Sequence, residues 1–176
     1  MGADNPEDYG DYFAWGETEP KEVYNWSTYK WCNGSSNTLT KYCTNSSYGT
    51  VDNKTELDPE DDAAYVNWSE NWRIPTIDQQ TELITKCTWK WTTQNGVKGR
   101  LVTGPNRNTL FLPAAGNRYD SSLYRAGSQG GYWVRTVYSS RPSDVSSLGF
   151  NSSSVGWGDK GRCYGFPVRA VRVPQN

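Results

Sequence analysis

The helix-forming signals of this chain end at Cys87, and from there onward every patterned segment has the short, two-residue rhythm of β-strands. Helices gathered early and strands gathered late exclude an alternating βαβ arrangement. They argue for an α+β fold with two helices, short antiparallel strands and many loops. The first helix is expected near residues 59–70. Asp58 stands at its N-cap, Pro59 at its first position, and Glu60, Asp61 and Asp62 in the first turn, where carboxylates complement the helix dipole. The second is expected near 76–87. Thr76 with Gln79 three residues on is a capping-box pattern, and Ile77, Leu83, Ile84 and Cys87 form an apolar stripe. Between the helices, Trp72 and Ile74 should face the core. Residues 9–16 read as an opening strand that should lie near a closing strand at 167–173. Residues 17–59 form a long Ser/Thr/Asn-rich region, pinned by Tyr24, Trp26, Tyr29 and Trp31.

Only 35% of the residues are hydrophobic, against the usual 45–50% or so. Disorder does not follow, because the chain carries 9 Trp, 12 Tyr and 4 Phe, and disordered segments are poor in aromatics. The core should consist of few, large rings wrapped in loops, within a single domain spanning 1–176. No run approaches the roughly 20 apolar residues of a membrane span. No apolar leader follows Met1, so any secretion signal or anchor is expected upstream of this segment.

The absence of histidine removes a Ser–His–Asp triad, a Cys–His dyad, His-ligated zinc and a His proton shuttle. The four cysteines form no CxxC pair, which argues against structural zinc. Cys32 and Cys43 flank a polar loop that a disulfide could close. Cys87 reads as a buried thiol, and Cys163 lies in a Gly-rich stretch. No Gly-rich phosphate loop is present. The acids at 60–62 suit a helix start rather than a catalytic pair. No cofactor, metal or catalytic residue is therefore assigned. Residues 1–96 hold 7 basic and 16 acidic groups, a balance of −9, and residues 97–176 hold 11 and 3, a balance of +8. The basic half carries mostly single arginines, not runs. That pattern suits two mutually attracting halves better than a nucleic-acid face.

Residues 132–158 carry the most informative pattern. Alternation places Trp133, Leu148, Phe150, Val155 and Trp157 inward. Tyr138, Ser147, Gly149, Ser154, Gly156 and Gly158 fall outward, and in residues 132–138 Tyr132 joins Tyr138 on the face opposite Trp133 and Val137. A strand face chosen for folding favours Thr, Val and Tyr. Three glycines outside suggest a face free of folding pressure.

Five stretches, in order, carry a family resemblance: Tyr12-Phe13-Ala14-Trp15-Gly16-Glu17-Thr18, Trp72-Arg73-Ile74-Pro75-Thr76, the segment Thr-Trp-Lys-Trp-Thr-Thr-Gln-Asn-Gly at 88–96, Phe111-Leu112-Pro113-Ala114-Ala115-Gly116 and Val168-Arg169-Ala170-Val171-Arg172. They resemble the major paralogous domain of the Fibrobacter succinogenes type, found in gut Bacteroidetes and their phages. The resemblance covers nearly the whole chain. It implies the C-type lectin-like fold, in the variant shared with formylglycine-generating enzymes.

Some members of that family resemble the variable proteins of diversity-generating retroelements, in which adenine-directed errors rewrite Asn codons of the gene's 3′ end. Tyr138, Arg141, Ser143, Asp144, Ser147, Gly149, Ser154, Gly156, Gly158, Asp159, Gly161 and Tyr164 stand where sequences of that kind are Asn-rich. All of them can be written with a pyrimidine-ending codon, whereas Lys160 cannot. The implied variable region spans about residues 117–166. Its expected ligand-binding residues are Tyr119, Asp120, Tyr124, Arg125, Tyr138, Arg141, Ser143, Asp144, Ser147, Gly149, Ser154, Gly156, Gly158, Asp159 and Tyr164, a set that includes the Tyr and Arg binding surfaces favour. The implied function is a non-enzymatic display module, monomeric within a larger protein, at a cell surface or on a phage virion. Its partner would be a protein or glycan on a cell or phage-host surface, with no nucleic acid and no membrane insertion by this segment. Calcium-independent carbohydrate binding and a structural adhesin or pilus role are the alternatives. An oxidase like the formylglycine-generating enzymes is more remote, because Cys163 has no second cysteine in the C-terminal half. Calcium-dependent lectin chemistry has no matching tripeptide: Glu19-Pro20-Lys21 and Arg141-Pro142-Ser143 lack the needed oxygens.

Overall fold

The computed structural model describes residues 1–173. It is an α+β arrangement with both helices in the first half and short antiparallel strands in four small sheets. The expected first helix is divided. A 3-10 turn at Pro59–Asp61 is followed by α1 (Ala63–Asn67), which stops short of residue 70. Asp58 begins the turn but caps nothing with its side chain. Its carboxylate lies 2.7 Å from Lys41 Nζ and 2.6 Å from Lys54 Nζ. Asp62 is the working cap: its Oδ1 accepts the N–H groups of Ala64 and Tyr65, and both oxygens accept that of Ile74. Burial raises the Asp62 carboxyl above its ordinary pKa, and those backbone donors oppose the shift.

β1 (Trp72–Arg73) leads into α2 (Ile77–Lys86), which opens with the expected capping box at Thr76 and Gln79. The buried side of α2 differs from the expected stripe. Ile77 is 37% exposed, Cys87 is half-buried rather than buried, and the one fully buried residue of the helix is Gln80.

β2 (Thr88–Gln94), β3 (Val97–Thr103) and β4 (Thr109–Pro113) form a meander. Its first turn is Asn95-Gly96, both with positive φ (47° and 84°), the pairing that a two-residue hairpin turn requires. β5 (Asn117–Tyr119) and β6 (Ser122–Tyr124) make a small hairpin absent from the sequence expectation. β7 (Gly130–Val137), β8 (Asp144–Phe150) and β9 (Val155–Gly161) form the last meander, and β10 (Val171–Arg172) pairs with β1.

The opening segment is not a strand. It makes a single bridge, Phe13 with Phe166, so it pairs just upstream of the expected closing strand. Tyr12, Phe13, Ala14 and Trp15 are all buried, which leaves no solvated face to alternate with. Trp15 Nε1–H donates to the Val134 carbonyl at 2.8 Å, and Trp133 Nε1–H donates to the Phe13 carbonyl at 2.7 Å. These two bonds join the ends of the chain through one core.

β7 corrects a second expectation. Tyr132 is 1% exposed rather than outward, with its hydroxyl donating to the Pro113 carbonyl. It packs with Leu112, Leu148 and Phe150, while Trp133, Val134 and Val137 pack with Phe13 and Trp15. The strand is thus buried on both faces, and the register shift between Trp133 and Val137 lets consecutive residues enter one cluster.

The long region at 17–59 is held from the inside. Arg162, fully buried, donates from Nε to the Tyr29 hydroxyl, from Nη1 to the Tyr42 and Pro142 carbonyls and from Nη2 to the Lys41 carbonyl. The rings of Trp15, Tyr29 and Tyr42 surround its guanidinium at 5.1–5.8 Å. Charge attraction between the halves is slight by comparison. Among the described residues one ion pair joins them, Arg135–Glu56 at 3.7 Å. The arginines of the second half mostly reach backbone carbonyls instead, as Arg135 does at Leu57 and Arg169 at Pro6.

Cys32 and Cys43 are free thiols, so no disulfide closes that loop. The Cys32 thiol donates to the Trp26 carbonyl and the Cys43 thiol to that of Asn45. No helix among the described residues is long and apolar enough to cross a membrane.

Candidate ligand-binding surface

The β7–β8–β9 register sets rows of residues side by side. One row is Gly131, Gly149 and Gly156; the next is Trp133, Ser147 and Gly158. Directly opposed residues of paired strands share a face, so glycine and serine dominate the β8–β9 end of this one. At Gly131 the space is taken: a Cβ there would lie 2.2 Å from the Phe166 ring. At Gly156 nothing lies within 4 Å, and at Gly149 only backbone atoms at 3.8 Å do. The result is a depression of about 380 Å³ with a small-residue floor, bounded by Phe166, by the Phe150–Asn151–Ser154 turn and by Asn117 and Gln129.

Six expected site residues line it: Ser147, Gly149, Ser154, Gly156, Gly158 and Asp159. Others join through its rim. Arg141 Nη2 lies 2.5 Å from Asp159 Oδ2, Nη1 lies 3.4 Å from Asp144 Oδ2, and the guanidinium sits 5.5 Å from the Tyr138 ring. Burial holds the Asp144 carboxyl above its ordinary value, with Arg141 opposing. On another side Lys160, which also lines the depression, lies 5.5 Å over Tyr164, and Tyr164 stacks on Tyr119 at 4.6 Å. Asp120, next in the chain, accepts from Asn25 Nδ2 at 2.8 Å. Arg125 donates to Gln129 Oε1 at 2.9 Å, and Tyr124 is the cross-strand neighbour of Asn117.

Two expected residues do not belong to an exposed face. Ser143 is buried, with its carbonyl accepting the Arg162 backbone N–H, and it does not line the depression. Ser147 is 3% exposed, set in the floor between Trp133 and Gly158. The reverse correction applies to Trp157. Register puts it in the row of Tyr132 and Leu148, the inward face, but β9 is the outer strand and the core does not extend beneath it. The residue borders the depression between Gly156 and Gly158, while its indole, 44% exposed, belongs to the opposite face of the strand. Glycine on both sides of it was the available signal. Asn117, Gln129 and Lys160 also lie outside the expected set, and nothing in their local sequence marks them.

The chemistry offered is that of contact: hydroxyls, carboxamides, one cation and one carboxylate around a glycine floor. Among the described residues no group of three His, Cys, Asp or Glu could hold a metal ion. Cys163 is fully buried, and burial pushes its thiol up to about 12. Cys87 packs against a different core cluster from the one that holds Cys163. In comparisons with known proteins, no family model, no curated protein and no solved structure matches this chain.

Proposed function

We propose that this chain is a non-enzymatic binding module of C-type lectin-like fold, presenting a variable surface centred on the β8–β9 face to a protein or glycan on a cell or phage-host surface. The observation that carries the reading is the depression itself. Its floor at Gly149, Gly156 and Gly158 contacts almost nothing, so side chains placed there change what the surface offers without entering the core. The expected variable positions gather around it, and the packed residues Trp133, Leu148 and Phe150 lie among them in sequence. An extracellular or virion location and a place within a larger protein complete the proposal. A thiol oxidase is disfavoured by the burial of Cys163 and its separation from Cys87.

The test is a display library randomised at Ser154, Gly156, Gly158 and Asp159 and selected against an unrelated folded protein such as lysozyme. Most members should keep the parental Tm within a few degrees, and selection should enrich binders. A library that is largely unfolded would overturn the reading. The exposed Trp157 and the stacked Tyr119–Tyr164 pair favour one second reading, calcium-independent sugar binding by ring stacking. Saturable glycan binding in the presence of a chelator, lost in Trp157→Ala, would support it.

A further inference from the structure

The pleat of β9 sorts the charges around the glycine floor. Gly156, Gly158 and Lys160 are alternate residues and share the floor side, while Trp157 and Asp159 fall on the reverse. The Asp159 carboxylate is already matched by Arg141, 2.5 Å away. Lys160 has no such match. Among the described residues it makes no ion pair, and its ammonium stands 5.5 Å from the centre of the Tyr164 ring. Asp120, beside the stacked Tyr119, lies outside the lining and bonds Asn25 at 2.8 Å. The floor side therefore carries one cation and no carboxylate of its own.

The carboxamides of the rim point to the same chemistry. The Gln129 side-chain oxygen accepts from Arg125 at 2.9 Å, and that of Asn151 accepts from the backbone N–H groups of Ser153 and Ser154. What these two side chains still offer is N–H. Asn117 and Ser147 add groups that can give or accept. Donors in excess around a cation call for a ligand that is anionic and rich in acceptor oxygens. The volume, about 380 Å³, falls at the low end of the roughly 300–1,000 Å³ of small-molecule sites. Lys160 stands about 13 Å along the strand from Gly156, at roughly 3.3 Å per residue, so the cation marks one end of the floor. The floor itself is flat, with nothing within 4 Å of a Cβ at Gly156. A flat floor takes a ring laid face down, and donors spread along its edge match oxygens that leave the ring in several directions. One acidic side chain of a peptide would use Lys160 and leave the other donors unmet.

We infer that the depression binds an acidic saccharide, with a pyranose ring over the glycine floor and its anionic group, a carboxylate or a sulfate ester, at Lys160. The inference rests on the reading of this face as the ligand-binding surface and names the ligand class for it.

The probes are digalacturonate, galactose 6-sulfate and neutral galactobiose, each titrated into the full chain while the amide resonances of Gly149, Gly156 and Gly158 are followed by NMR. At least one acidic sugar should give saturable shifts in the millimolar range or tighter, and the one that does identifies the anionic group. Galactobiose, acetate and inorganic sulfate should bind at least about tenfold more weakly. Lys160→Met should weaken the acidic sugar about tenfold with Tm within a few degrees of the parent, and Lys160→Arg should retain binding. Gly156→Leu should block the floor. Trp157→Ala, on the reverse of the strand, should change nothing. No saturation by either acidic sugar, equal affinity for galactobiose or acetate, full binding by Lys160→Met, or a loss in Trp157→Ala would each overturn the inference. Binders recovered from the randomised library without any response to the acidic sugars would overturn this inference alone. A largely unfolded library would overturn the display reading whatever the sugars do.

Discussion

The Arg162 guanidinium and the Tyr29 hydroxyl meet at 2.9 Å, 133 residues apart in the chain, with both side chains buried. Burial raises the Tyr29 phenol well above its ordinary range, with Arg162 opposing, so the hydroxyl stays protonated while it accepts. Replacing Arg162 with Met would leave three carbonyls and this hydroxyl without their donor. We expect a loss of at least about 3 kcal/mol, since each orphaned buried group costs roughly 1–3 kcal/mol. Arg162→Lys should not restore it, because an ammonium lacks the planar fork. Urea titration checks both variants, and a loss under 1 kcal/mol in the Met variant would show that the tie is dispensable.

Gly131 and Gly156 belong to one cross-strand row but differ in surroundings. Gly131→Ala must displace the Phe166 ring and should cost about 1–3 kcal/mol, as overpacking does. Gly156→Ala meets open space and should be neutral or slightly stabilising, by up to about 1 kcal/mol. Thermal melts of the two variants decide the matter. Equal effects would mean that the glycine floor is packed after all.

Two tryptophans that alternation assigns to one inward set should separate cleanly. Trp133→Ala should cost about 3–5 kcal/mol, and Trp157→Ala should stay within about 0.5 kcal/mol. Acrylamide quenching of the parent should be reduced by Trp157→Ala more than by its loss of one fluorophore in nine.

Local chemistry was legible in the sequence, and the reach of the core was not. The capping box at Thr76 is set by contacts within four residues, and it stands where the sequence puts it. Strands at 99–103, 109–112 and 145–150 are marked by their own side chains, and the structure extends each by one or two residues. Alternation says which residues of one strand share a face, however, neither how strands register nor whether anything lies beneath: Trp133, expected with Leu148, Phe150 and Trp157, pairs instead with Ser147 on the opposite face. Trp157 shares its face with Leu148 and is exposed because β9 is outermost. Tyr132 lies opposite Trp133 and is buried because a second cluster covers that side. Asp62 displaces Asp58 as the cap because Lys41 and Lys54 claim the latter, and Lys41 lies 17 residues upstream. Arg162, Asn117 and Gln129 have their roles only in three dimensions.

The thiols should differ in reactivity. Cys163, with its pKa near 12 and no exposure, should resist a disulfide reagent at pH 8 until the protein unfolds. The half-buried Cys32 and Cys87 should react first. Mass spectrometry of partially modified protein gives the order, and early labelling of Cys163 would contradict its burial.

Asp58 sets an acid-side dependence. Hydrogen bonds from Lys41 and Lys54 hold its carboxyl below the ordinary aspartate value of about 3.9. A group whose pKa is depressed on folding stabilises the protein above the unfolded value and loses that contribution as pH falls through the folded one. Asp58→Asn should therefore lower the Tm at pH 7, and the difference should close below about pH 3. A difference that persists at low pH would assign the effect to something other than charge.

The two indole bonds that cross between Trp15 and Trp133 also dictate an order of events during synthesis. When the first third of the chain leaves the ribosome, Trp15, Tyr29 and Tyr42 have one another but lack the Val134 carbonyl and the Arg162 side chain, which have not yet been made. Contacts this far apart in sequence form late and slowly. The packing of residues 141–161 is thus completed against N-terminal aromatics that were made long before them. A sequence there that cannot place Arg162 leaves three large rings in water and marks its own chain for removal by cellular quality control.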